Sequence, residues 1–357
     1  MQASTSDLAF DPARLPYATG ALPGIGGTIK VDPHDFVVEE IPLYEASGSG
    51  EHVYVRVRRS GWATRDVLAA VARLFSVDAR GLGCAGQKDK RAVATQTISI
   101  PLAAIEPEEV ARRVHERLGL EVLWARRHAN KLRRGHLLGN RFDVLVATAH
   151  RDLGRASAIA REIGIHGLPN FYGPQRFGAN GDNAQRGRER LHMPRAGSAD
   201  RFLLSAFQAW MFNAWLCERM RRQLFETVLA GDVAKRLDNG ALFDVVDASA
   251  ENARMARREI TYTGPMFGAR MRRSSGLPAE LERAVLAAFG LDESAFARAR
   301  LSGTRRAARI FVDDLEISEH PRGVRLRFSL PKGAYATTLL REVMKTETPP
   351  DADGTED

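Results

Sequence analysis

Residues 83–96, GCAGQKDKRAVATQ, set a single carboxylate, Asp89, between Lys88 and Lys90, with Arg91 directly after. Cations within a few ångströms lower a carboxylate pKa and keep the group ionised, the state that a nucleophile or base requires. Asp89 is therefore a catalytic candidate. A solvated turn aspartate accounts for the same residues and is the commoner case. Lys30, in GTIKVDPHDFVVEEIP (27–42), is expected at the end of a strand, where it would complete an ion pair with Asp89 or serve only as a surface lysine.

Two further stretches suit contact with a polyanion. RRHANKLRRGHLLGNRF (126–142) holds six cations, Arg126, Arg127, Lys131, Arg133, Arg134 and Arg141, and no acid. Such a run supplies affinity for phosphates without sequence specificity; a solvated basic face reads equally well. It ends with Asn140 and Phe142, an amide and an aromatic on one side of a strand by period-two spacing. An aromatic beside a basic groove can stack on an extruded base, although a phenylalanine in a strand more often belongs to a core. In NFYGPQRFG (170–178), Arg176 lies among Phe171, Tyr172 and Phe177, a mixture that fits RNA contact or a packed hinge. Trp210, Met211 and Phe212, on a long helix, are expected in a core.

Composition narrows the chemistry. The 357 residues carry a net charge of +8, and the last twelve, TETPPDADGTED, contain five acids and no base. Removing those acids raises the remainder to +13, which favours a polyanionic partner. Only seven of the 52 cations are lysines, and four of them (30, 88, 90 and 131) fall in the stretches above. A compact ammonium rather than a planar fork suits those positions. No GxxxxGK[ST], HExxH or GxSxG motif is present, and Cys84 and Cys217 form no metal knuckle. The expectation is chemistry without metal or nucleotide cofactor. No signal-like start and no apolar run of membrane length is seen, so a cytoplasmic protein without a membrane partner is expected.

The elements that must position these residues follow from periodicity. HVYVRVRR (52–59) alternates as a strand, and ATRDVLAAVARLFSV reads as a helix with Thr64 as N-cap and Val67, Leu68, Val71, Leu74 and Phe75 on one face. LGCAG and VATQTISI bracket the Asp89 loop as a strand pair. PEEVARRVHERLG is a helix, EVLWARR and RFDVLVATA are strands, and a strand, turn and strand are expected over 27–42. The texture changes near residue 165 and returns to strands after about 300, followed by a helix at AYATTLLREVMK. This order predicts an α+β fold. Its expected parts are an extended leader (1–25), a discontinuous sheet domain (26–165 and 307–345), an inserted domain (166–306) and a disordered acidic tail (346–357).

With these blocks in view, the chain resembles the TruD-type tRNA pseudouridine synthases. AGQKDKRAVATQ is similar to the family signature, and KVDPHDFVVEE, GEHVYVRVRRSGWATRDV, NKLRRGHLLGNRF, GLPNFYGPQRFG and LPKGAYATTLLREV resemble family blocks in family order, from about residue 26 to 345. The resemblance implies a mixed-sheet catalytic domain with an inserted second domain, forming a V with a basic cleft. It implies isomerisation of uridine to pseudouridine in tRNA, at position 13 of the D arm, without cofactor. Asp89 would be the catalytic aspartate, Lys30 its neighbouring lysine, Phe142 the ring stacked on the target uracil, and Asn140 the amide bracing the aspartate loop. Lys88, Lys90, Arg91, Lys131, Arg133, Arg134 and Arg176 are expected to contact RNA, and a monomer is expected. The chain departs from the family pattern at Ala94, where threonine is common, and at Phe171-Tyr172, where the order is commonly Tyr-Phe. A noncatalytic RNA-binding module competes with this reading, but the intact Asp89 loop favours the enzyme. An RNA hydrolase would need a metal cluster or a histidine pair.

Overall fold

Alternation of buried and exposed residues builds most of the elements in a computed structural model of the chain, which describes residues 15–178, 180–191 and 198–346. In chain order the first are β1 (Phe36–Pro42), β2 (His52–Arg59), α1 (Thr64–Phe75), β3 (Gly83–Cys84), β4 (Val93–Pro101), α2 (Pro107–Leu118), β5 (Glu121–His128) and β6 (Leu137–Ala147). Next come α3 (Leu153–His166), β7 (Leu168–Pro169), α4 (Asn183–Arg190), α5 (Ser198–Arg221), β8 (Val233–Arg236) and β9 (Leu242–Asp244). They are followed by α6 (Ala248–Ala256), β10 (Ile260–Met266), α7 (Gly276–Ala288), α8 (Glu293–Arg298), β11 (Thr304–Ala307) and β12 (Arg309–Ile310). The last are β13 (Glu316–His320), β14 (Gly323–Pro331) and α9 (Ala336–Met344).

The chain divides into two units, Ile25–Ser157 with Asp313–Gly333, and Ala158–Val312 with residues 15–24 and 334–346. The first unit carries a mixed sheet in the order β13-β14-β6-β1-β4-β2-β5, with β3 also paired to β4. β1 runs parallel to β4, while β2, β3 and β6 are antiparallel to their neighbours. One face of this sheet packs under α1 and α2 through Val53, Val55, Val57, Ile98 and Ile100 against Val67, Val71, Val110 and Val114. Burial of these side chains contributes roughly 1.5–3 kcal/mol each relative to exposure. The second unit holds the sheet β11-β10-β8-β9 and a core in which Phe207, Met211, Phe212 and Trp215 of α5 meet Ile260 and Tyr262 of β10.

Several expectations change. Residues 1–14 of the expected leader and residues 347–357 of the expected tail lie outside the described residues. Residues 15–24 are held to α9. The Glu342 carboxylate of α9 accepts from the Ala18 and Thr19 amides at 2.9 and 3.1 Å, and Arg341 lies over the Tyr17 ring. Helix α9 therefore belongs to the second unit, leaving 313–333 in the sheet unit where 307–345 was expected, and the first crossing falls at 157/158. Over 27–42 a single bridge, Thr28 to Ala147, replaces the first strand. A short 3-10 turn, Pro33–Asp35, then leads into β1 with Asp32 as its cap. Thr64 is the first residue of α1, not its cap, which is Ala63.

Candidate active site

Lys30 and Asp89 meet at the end of the sheet where β1 and β4 begin. The Lys30 Nζ is 2.9 Å from Asp89 Oδ2, with side chains 9% and 24% exposed. Lys30 has left-handed backbone, φ 58°, a conformation that costs a non-glycine residue on the order of 1 kcal/mol and persists where its surroundings fix it. Its ammonium also lies 4.7 Å from the centroid of the Phe36 ring, the first residue of β1.

The loop carrying Asp89 is held from beneath. Arg59, 3% exposed at the end of β2, donates to the carbonyls of Lys88 at 3.1 Å and Asp89 at 3.4 Å. It also donates to the Thr64 hydroxyl and to Gln96 Oε1, each at 3.0 Å. The Thr64 hydroxyl donates to Gln96 Oε1 at 2.9 Å and accepts from the Lys88 amide at 2.9 Å. Burial pushes the Arg59 pKa down to about 10, against the pull of Asp89. The guanidinium is still charged near neutrality.

Lys88 turns inward. Its Nζ is 3.3 Å from Glu40 Oε2, with side chains 4% and 1% exposed. The β1–β4 ladder ends at Thr95, and β3 takes up the same edge of β4 at Ile98 and Ser99. In the gap the Glu40 carboxylate accepts from the Thr97 amide at 3.3 Å, satisfying a backbone donor that would be costly to bury alone. The result is a partly exposed carboxylate with the Lys30 ammonium beside it, and a buried polar frame that fixes its backbone.

A family model described as tRNA pseudouridine synthase D (TruD) matches residues 15–187 and 196–343. The chain belongs to the TruD family. Members of that family isomerise uridine to pseudouridine in tRNA. The chain is 46% identical to tRNA pseudouridine synthase D of Anaeromyxobacter dehalogenans over 95% of its length and 99% of the relative's. It is 41% identical to the protein of that name from Thermus thermophilus, over 96% and 95% of the two chains. In fold it is similar to the crystal structure of a putative tRNA pseudouridine synthase D from Methanosarcina mazei. That comparison has a TM-score of 0.74 and 23% identity, covering 98% of this chain and 99% of the other.

Against this TruD frame the expected site residues fall into three groups. Lys30 and Asp89 are brought together, 59 positions apart in sequence. Lys90, Arg91, Arg133 and Arg134 are exposed, and no partner for their side chains occurs among the described residues. The others are placed differently. Lys88 is spent on Glu40 and cannot reach a phosphate. Lys131 donates to the Arg80 carbonyl. Arg176 is half-buried beside Ser205, with its guanidinium 5.2 Å from the Phe202 ring centroid. Phe142 is only 7% exposed, stacked on Phe328 at 5.2 Å and edge-on to Phe36 at 6.1 Å. The Phe36 ring beside it is the one whose centroid lies 4.7 Å from the Lys30 ammonium. Asn140 lies opposite Glu40 on the adjoining strand, and its Oδ1 is buried without a hydrogen-bond partner. Among the described residues it makes no bond to the Asp89 loop.

Arg59, Thr64, Gln96 and Glu40 complete the site, and strand phase in the sequence points to two of them, Arg59 and Glu40. In HVYVRVRR the inward phase is Val53, Val55, Val57 and then Arg59. In β1 it is Phe36, Val38 and then Glu40. A charged residue in the apolar phase of a strand marks a buried polar partner.

Proposed function

We propose that the chain isomerises uridine 13 in the D arm of tRNA, with Asp89 as the catalytic group. The observation that carries this is the 2.9 Å contact of Asp89 with Lys30. It leaves a charged carboxylate partly open at a sheet end whose backbone is anchored by Arg59. Family membership supports the substrate class, and the family resemblance supports position 13. The cytoplasm, where tRNA is found, is the proposed compartment, and the monomer the proposed working form.

The reaction breaks N1–C1′, turns the uracil and joins C5 to C1′; C5 loses a proton and N1 gains one, so the net change is an isomerisation. An ionised Asp89 serves either route to it, by addition to the base or by assisting glycosidic cleavage. Lys30 holds the carboxylate ionised and aimed. The uridine must first leave its stack, at a cost of a few kcal/mol that tRNA binding offsets.

The test is tritium release from tRNA carrying 5-³H-uridine, without added metal. Wild type should release tritium, Asp89→Asn should not, and the variant should bind tRNA nearly as well as wild type. Release undiminished in Asp89→Asn would refute the assignment. Replacing uridine 13 by cytidine should abolish release; continued release would move the target elsewhere.

A further inference from the structure

At the opposite end of the sheet from Asp89 lies a second basic site, open to solvent. Arg59 and His52 mark the two ends of β2, roughly 20 Å apart at the usual rise per residue of a strand. The Asp89 loop sits at the Arg59 end. At the other end His52 pairs with His128, and an open pocket of about 360 Å³ is lined by Tyr44, His128, Asn130, Lys131, Arg133 and His136, with Glu45 its one acid. That volume falls within the range of small-ligand sites.

The pocket is built. Gly83 of β3 lets the chain at Leu132 pass so closely that a Cβ would lie 2.1 Å from the Leu132 carbonyl oxygen. The Leu132 amide donates to Ser99 Oγ at 3.0 Å, and the Gly135 amide to the Ala85 carbonyl at 2.8 Å. These contacts pin the basic loop 130–136 to the sheet. Tyr44 stacks on His128 with centroids 5.3 Å apart and planes within 12°, and its hydroxyl bonds His136 Nδ1 at 2.7 Å. Tyr54 lies against the same imidazole at 4.4 Å. Burial lowers the His128 pKa, which favours a neutral imidazole in this aromatic stack.

Many surface arginines are matched by carboxylates, as in Arg112 and Arg113 with Glu109, Arg272 with Asp244, and Arg254 and Arg257 with Glu259. Arg133 and Arg134 have no such partner among the described residues, and the Asn130 side-chain amide is likewise free. Unmatched cations favour a polyanion, and a flat aromatic wall beside them favours a nucleotide over a bare phosphate.

We propose that this pocket is a second RNA subsite, which takes one unstacked nucleotide of the tRNA with its base against Tyr44 and its phosphate at Arg133. The proposal rests on tRNA being the substrate. Holding the RNA at two points on one sheet fixes the register in which uridine reaches Asp89.

The experiment measures tRNA affinity as a function of salt for wild type, Tyr44→Leu, Tyr44→Phe and Arg133→Gln, with melting temperature and tritium release followed in parallel. Tyr44→Leu should weaken binding on the order of ten-fold without changing the slope of log K against log salt, and Tyr44→Phe should retain affinity. Arg133→Gln, at an exposed position, should keep its melting temperature, weaken binding and lower the slope by about one. Wild-type affinity and slope in both Tyr44→Leu and Arg133→Gln would overturn the subsite. A loss confined to Arg133→Gln would overturn the nucleotide and leave a phosphate contact. Absence of tritium release from wild type, with these binding effects present, would instead refute the isomerase reading and leave the subsite standing.

Discussion

Lys88 and Glu40 form an ion pair at 3.3 Å inside the protein, one residue from the partly exposed Asp89 carboxylate. Adjacent residues of one loop thus have opposite tasks: Lys88 anchors the chain and Asp89 is presented. A buried pair of this kind is a positional device more than a source of stability, because desolvating both charges offsets most of their attraction.

Removing one partner should expose that cost. Lys88→Met leaves the Glu40 carboxylate buried and unpaired, and should destabilise the fold by about 3–5 kcal/mol in urea denaturation. Combining it with Glu40→Met should recover much of the loss. The salt dependence of tRNA binding should be unchanged, since Lys88 contacts no phosphate. A reduced slope for Lys88→Met with wild-type stability would return Lys88 to the RNA surface.

Lys30 acts on charge and aim. Lys30→Met should lower turnover far more than tRNA affinity, and the acidic limb of the pH–rate profile should move to higher pH. The sign follows from the loss of a cation beside Asp89, which makes the ionised carboxylate less favourable. Identical profiles for variant and wild type would reduce Lys30 to a structural residue.

Arg59 is a positioning residue, acting through the backbone of Lys88 and Asp89. Arg59→Gln should reduce kcat by up to about 100-fold, the scale expected from a displacement near 1 Å at a reacting group, with a much smaller change in tRNA Kd. Arg59→Lys keeps the charge but loses the fork, and should give intermediate kcat. A fall in affinity matching the fall in kcat would place Arg59 at the RNA instead.

Phe142 should behave as core. Phe142→Ala removes a ring packed between Phe36 and Phe328, and should cost about 3–5 kcal/mol of stability, with turnover falling in step as the support of Phe36 is lost. Phe142→Leu should retain most of the melting temperature and activity. A variant that melts like wild type yet loses turnover would show that the ring meets the substrate directly.

Much of the fold was legible in one dimension. Period-two alternation located β2 and β6, the Val67–Val71 spacing located the inner face of α1, and the run around Asp89 identified the loop. These are local properties, set by which side of a strand or helix each residue occupies, and the sequence determines them by itself. It also determined that Arg133 and Arg134 stand in a stretch without acids.

Tertiary structure alone decided which charges meet. Sequence adjacency made Lys88 and Lys90 look alike; strand packing sends the first to Glu40, 48 positions away, and leaves the second in solvent. The same holds for Phe142, whose strand phase was readable but whose neighbours Phe36 and Phe328 come from other strands. Residues 15–24 join α9 because Glu342 bonds the backbone of Ala18 and Thr19, more than 320 positions apart, and α9 reaches the second unit where the Thr338 hydroxyl donates to the Phe171 carbonyl at 3.3 Å. Burial and ion pairing depend on distances through space, and a linear pattern carries the phase of a residue without naming the partner that its phase will meet.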